Sequence, residues 1–151
     1  MKNVFYFLFI ALFFACKPNE QKPSAAANTS KYPEYAALMQ THDQAMKGMG
    51  RVAELQKALK DKLHAYEAAN DFGPLSKEVR NQLSELNKAE NEIATWKTTY
   101  GKQLPDTMSV ENRNNYFILA KGDVEVARDQ ILYSAQQAEK TLKTLESEIK
   151  K

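Results

Sequence analysis

The chain has 151 residues, a formal net charge of +2, one cysteine and two histidines. So small a charge gives no footprint for nucleic acid, and a lone cysteine cannot close an internal disulfide. The chain length suits one domain behind a short leader.

Residues 1–15 read as that leader. Met1-Lys2-Asn3 makes a basic start, Val4 to Ala15 carry no charge, and Cys16 follows directly. Twelve such residues span about 18 Å as a helix, short of the ~30 Å of a bilayer core, so a secretory signal is predicted rather than a permanent span. Phe13-Phe14-Ala15-Cys16 resembles the lipobox of bacterial lipoproteins. The resemblance implies cleavage before Cys16 and a covalent lipid, palmitate included, on that cysteine, which becomes a membrane anchor. Loss of Lys2 with the signal leaves a mature charge of +1. Residues 16–32 then form the lipidated cysteine and a tether: up to Lys31 they hold no large apolar side chain, and such a segment cannot offset its ordering entropy. Lys17 is not an aspartate, which by analogy with lipoprotein sorting points to the outer membrane.

Residues 33–151 are predicted to be all-α, an elongated, coiled-coil-like antiparallel three-helix bundle. Breakers cluster at Asn70-Asp71-Phe72-Gly73-Pro74 and at Gly101-Lys102-Gln103-Leu104-Pro105-Asp106, leaving helices at about 33–70, 75–100 and 110–150. The first carries Leu38, His42, Ala45, Met49, Val52, Gln56, Leu59, Leu63 and Tyr66 at spacings of four and three. The second places Val79, Leu86, Ile93 and Tyr100 seven apart, with Leu75, Gln82, Ala89 and Trp96 beside them. In the third, Phe117, Val124, Ile131, Ala138 and Leu145 alternate with Ala120, Ala127, Ser134 and Thr141, and Leu142 and Ile149 widen the stripe. Ser76 and Ser109 are the expected N-caps, and Lys150 and Lys151 suit the dipole at the last helix end. Because the third helix outlasts the second, self-association through its exposed part is also open.

One stretch has the residue types of a soft-metal site. At 100° per residue, Met39, His42, Met46 and Met49 fall within about 80° of one another, and thioether with imidazole suits Cu(I). The same residues also read as packing, since His42 and Met49 lie in the seam and methionine fills irregular gaps. Antiparallel packing brings this stretch toward Trp96, Tyr100, Met108 and Tyr116, at the end where the tether joins. Trp96 and Tyr100 are the expected anchors there, and one of them is the expected neighbour of Gly48 and Gly50, glycines that cost a helix about 1 kcal/mol each. His64 falls off the seam and reads as a solvated surface residue.

Thr41-His42-Asp43-Gln44-Ala45-Met46-Lys47-Gly48-Met49-Gly50 and Ala89-Glu90-Asn91-Glu92-Ile93-Ala94-Thr95-Trp96-Lys97-Thr98-Thr99-Tyr100 resemble segments of a family of small Bacteroidota lipoproteins often labelled viral A-type inclusion protein. That family implies a helical lipoprotein and brings no activity with it. No nucleophile motif, phosphate loop or dinucleotide fingerprint appears, and no carboxylate pair sits in apolar surroundings. The function expected is therefore non-enzymatic: a lipid-anchored interaction or spacer module of the bacterial cell envelope, with an envelope protein as partner and no cofactor. Cu(I) binding or buffering at His42, Met46, Met49 and Met39 is the alternative.

Overall fold

The computed structural model describes residues 31–102 and 105–149. The expected signal peptide, Cys16, most of the tether, and Lys150 and Lys151 lie outside the described residues. The chain forms α1 (Pro33–Ala68), α2 (Pro74–Thr99) and α3 (Val110–Ile149), with a 3₁₀ turn at Pro105–Thr107. No strand occurs among the described residues. At 1.5 Å per residue the helices of 36, 26 and 40 residues run about 54, 39 and 60 Å.

Local chemistry sets the helix ends. Pro33 and Pro74 begin α1 and α2, where the missing N–H is no loss and the fixed φ already suits a helix. α1 stops two residues before its expected end because Asn70 takes a left-handed φ of 54°. The Asn70 N–H then donates to the Glu67 carbonyl at 3.0 Å, and the Asp71 N–H to the Tyr66 carbonyl at 2.8 Å, a Schellman closure built on asparagine. Gly101 follows α2 because a Cβ there would stand 2.6 Å from the Lys97 carbonyl oxygen.

The two expected serine caps differ in outcome. Ser109 Oγ accepts the Asn112 N–H at 3.2 Å and caps α3. Ser76 does not cap α2: Gly73 holds that position, and Ser76 is buried inside the first turn, donating to the Gly73 carbonyl at 3.1 Å. The displacement follows from Pro74, which starts the helix before Ser76 is reached.

The three helices pack pairwise, with α1 and α3 parallel and α2 antiparallel to both. Tyr32 stacks near Phe117 at 6.1 Å between ring centroids, and farther along the bundle Gly48 lies against Ile131. From α2, Trp96 reaches Ala120, Glu85 reaches Gln130, and Glu78 reaches Thr141, so its order runs opposite to that of α3. All nine seam residues named for α3, from Phe117 to Leu145, are buried. Large and small side chains alternate along that seam, which lets the other two helices interdigitate.

In α1 the sequence reading misses one core residue. Leu55 is buried, whereas Gln56, the expected seam residue, lies at the flank and donates to Asn87 and Glu90 on α2 at 2.9 and 3.1 Å. Further ties of this kind fix the relative register: Arg51 to Glu139 at 2.8 Å, Arg80 to Glu67 at 3.0 Å. Each is exposed and screened by solvent, so burial rather than ion pairing supplies most of the stability. None of the described helices is long and apolar enough to cross a membrane.

Candidate functional site at the Tyr32 end of the bundle

The residues singled out in sequence meet at the end where the described chain begins. Trp96, at 4% exposure, is the anchor. Its Nε1–H donates to the Ala120 carbonyl at 2.7 Å, joining α2 to α3 through a buried bond. His42 lies over it with ring centroids 4.9 Å apart, and Tyr100 lies on its other flank at 6.2 Å. Tyr100 meets Tyr116 at 5.9 Å, and Tyr116 meets Phe117 at 5.3 Å, both edge-on. Tyr35 and Tyr32 complete the run against Phe117. Contacts of this type are worth about 0.5–1.5 kcal/mol each beyond the area they bury. The seven rings form a continuous band from α1 through α2 to α3.

That band reaches residues expected to belong to the tether. The tether is expected to extend through residue 32, yet Tyr32 is partly buried against the core. Its hydroxyl donates to Asp106 Oδ1 at 2.7 Å, and Lys31 Nζ donates to the same oxygen at 2.7 Å. Arg113 lies over the Tyr32 ring, 4.9 Å from its centroid. The hydrogen bonds from Lys31 and then Tyr32 hold the Asp106 carboxyl below the usual carboxylate range, and Asp106 in turn raises Lys31. A large aromatic placed just before Pro33 is the sequence signal that marks this docking, and the absence of apolar side chains through Lys31 hides it.

The residues expected for a metal differ in their surroundings. Met39 and Met49 rest against the core and His42 faces Trp96, with Nδ1 3.2 Å from Asp43 Oδ1. Met46 is 43% exposed. Among the described residues no group of three or more His, Cys, Asp or Glu is placed to hold a metal ion. Met108 is partly buried against the core, and Tyr116 is buried within the band. Burial pushes the Tyr116 hydroxyl up to about 12, while a hydrogen bond to Asp123 raises Tyr100.

The glycines have a different neighbour from the one expected. A Cβ on Gly48 would stand 2.6 Å from Ile131 Cγ2, so the close approach is to α3 and not to Trp96 or Tyr100. A Cβ on Gly50 would have nothing within 4 Å, and α1 runs through both glycines without a break. His64 sits on the surface near Glu67, as its position off the seam suggests.

An open groove of about 610 Å³ flanks α2 beside this cluster, lined by Asn91, Glu92, Thr95, Trp96, Asp123 and Val126 among others. It offers amide, hydroxyl and carboxylate groups beside an indole edge. Glu92 Oε2 is shielded from solvent without a hydrogen-bond donor among the described residues. The groove is shallow and runs toward the outer face of α3 through Val126. Comparison with family models, with curated proteins and with solved structures finds no match to this chain.

Proposed function

We propose that the protein is a non-enzymatic lipoprotein of the bacterial cell envelope, anchored in the outer membrane through lipid on Cys16 and working as an interaction or spacer module. The observation that supports this reading is that Lys31 and Tyr32 bond Asp106 at one end of an elongated bundle whose longest helix runs about 60 Å. A lipid placed before that point holds the rod by its end. The polar outer faces of α1 and α2 and the absence of an enclosed pocket of convergent polar groups among the described residues fit a surface that works by contact. The resemblance of the His42 and Trp96 segments to small Bacteroidota lipoproteins is in keeping with the same reading.

A packing role for His42, Met39 and Met49 is supported by the contacts they make with Trp96 and the core. Under this reading, titration of Cu(I) against a competing chelator gives no stoichiometric binding. Stoichiometric binding lost in Met46→Leu and Met49→Leu variants would instead establish the soft-metal alternative. The anchor is tested by palmitate labelling and fractionation: the native chain incorporates label and sediments with membranes, while Cys16→Ser does neither. A Cys16→Ser protein that stays with the membrane would contradict the anchor. Recovery of an envelope protein in repeated pull-downs tests the module, and a substrate-dependent activity with no partner would overturn it.

A further inference from the structure

The first two-thirds of α3 carries apolar side chains on two opposite faces, those of the outer face flanking a polar centre line. One face is the seam of Ala120, Val124, Ala127 and Ile131, all buried. The other carries Ile118, Leu119, Val126, Leu132 and Tyr133, all exposed, with Ile118 at 70% and Val126 at 62%. At 100° per residue the centre of this outer stripe lies about 170° from the centre of the seam. A helix with apolar side chains on both faces is ordinarily covered on both. Nothing among the described residues covers the outer one.

Gly122 stands in the middle of that stripe. A Cβ there would have nothing within 4 Å, so no neighbour in the bundle requires a glycine, and its φ is not positive. Inside a helix it is still less favourable than alanine. A second helix laid across the stripe would use the space.

The charges decide which helix fits. Along the centre line of the outer face lie Glu111, Asn115, Gly122, Asp129, Gln136 and Lys140. If a second copy of α3 is set antiparallel about the point between Glu125 and Val126, Glu111 falls opposite Lys140 and Asn115 opposite Gln136. Leu119 then falls beside Tyr133, Ile118 beside Leu132, and Gly122 opposite Asp129. Acid meets base, amide meets amide, and the stripe meets itself. A parallel pair in register would place Glu111, Asp129 and Lys140 each against its own copy, like charge on like. The seven-residue spacing of Leu119, Val126 and Tyr133 suits the shallow crossing of paired helices.

From this we infer that the outer face of α3 is a self-association surface, and that two copies pair antiparallel through the stripe from Ile118 to Tyr133. The inference deepens the module reading by naming a second copy as the partner, and it rests on that reading.

The test uses the chain from Lys17 to Lys151. All described core contacts lie inside this range, and it contains no cysteine. Sedimentation equilibrium from micromolar to millimolar concentration is expected to show a monomer–dimer equilibrium. Val126→Glu, which buries an unpaired charge at the crossing, should raise its dissociation constant about tenfold or more. The far-UV circular dichroism and melting temperature of the diluted monomer should not change, because Val126 packs no core. Val126→Cys is expected to form a disulfide with itself. Leu119→Cys should not, but a mixture of Leu119→Cys and Tyr133→Cys should cross-link. A protein that stays monomeric throughout, a dissociation constant unmoved by Val126→Glu, or self-cross-linking of Leu119→Cys alone would overturn the pairing. The pull-down above can still succeed in any of those cases, so the two readings fail separately.

Discussion

Gly48 and Gly50 lie two residues apart on α1 and answer to different demands. At Gly48 a methyl would meet the Cγ2 methyl of the β-branched Ile131 at 2.6 Å, and overpacking of that kind costs about 1–3 kcal/mol. At Gly50 the space is open, and alanine recovers about 0.5–1 kcal/mol of helix propensity. Urea melts should therefore show Gly48→Ala less stable than the parent and Gly50→Ala more stable, with equal shifts counting against the close approach. The spacing Gly-x-Gly is visible in the sequence, but which glycine touches a neighbour depends on the rotation of α1 against α3, and sequence spacing leaves that rotation open. Tyr116 gives a second residue-scale test. Its pKa is raised from 10.0 to about 12 by burial, so between those values the folded state holds a proton that the unfolded state releases. Stability then falls as pH rises above about 10 and through about 12. Tyr116→Phe should flatten that decline in thermal melts, and an unchanged slope would mean another group controls it.

At the scale of the element, α3 is the informative helix. Its buried seam follows from a seven-residue repeat of large and small side chains, which is why every named seam position is buried. Its outer stripe follows the same repeat with Leu119, Val126 and Tyr133, yet the sequence alone does not single it out, because one apolar face is enough to build the bundle. Helical spacing already sets the stripe opposite the seam, and the structure adds that the seam is buried while the stripe is left exposed. Leu55 on α1 escapes sequence reading for a related reason: Gln56 keeps the four-and-three spacing, while packing turns the helix enough to favour its neighbour. The two faces of α3 should respond differently to truncation. Ile131→Ala removes a fully buried side chain and should cost about 2–5 kcal/mol in the monomer. Leu132→Ala, on the exposed face, should change monomer stability by less than about 0.5 kcal/mol and act on association instead. Equal losses in a dilute-protein urea melt would mean that the outer stripe is already covered within one chain.

The described helices form a rod with Tyr32 at one end. The aromatic band from His42 and Trp96 to Tyr116 and Phe117 closes that end, and the ring of Tyr32 joins it to the start of the described chain. Of the His/Met residues on α1, His42 packs on Trp96, Met39 and Met49 rest against the core, and Met46 remains exposed. What the rod offers to its surroundings is the outer face of α3, continuous with the groove beside Trp96 through Val126. The most direct measurement replaces Val126 with a photoreactive amino acid in cells that make the full chain, and in parallel replaces Ala65, which is exposed on α1 away from the stripe. Illumination is expected to yield an adduct of twice the chain's mass from position 126 and none from position 65. No adduct from position 126, or equal adducts from both, would contradict an account in which the outer face of α3 is the working surface.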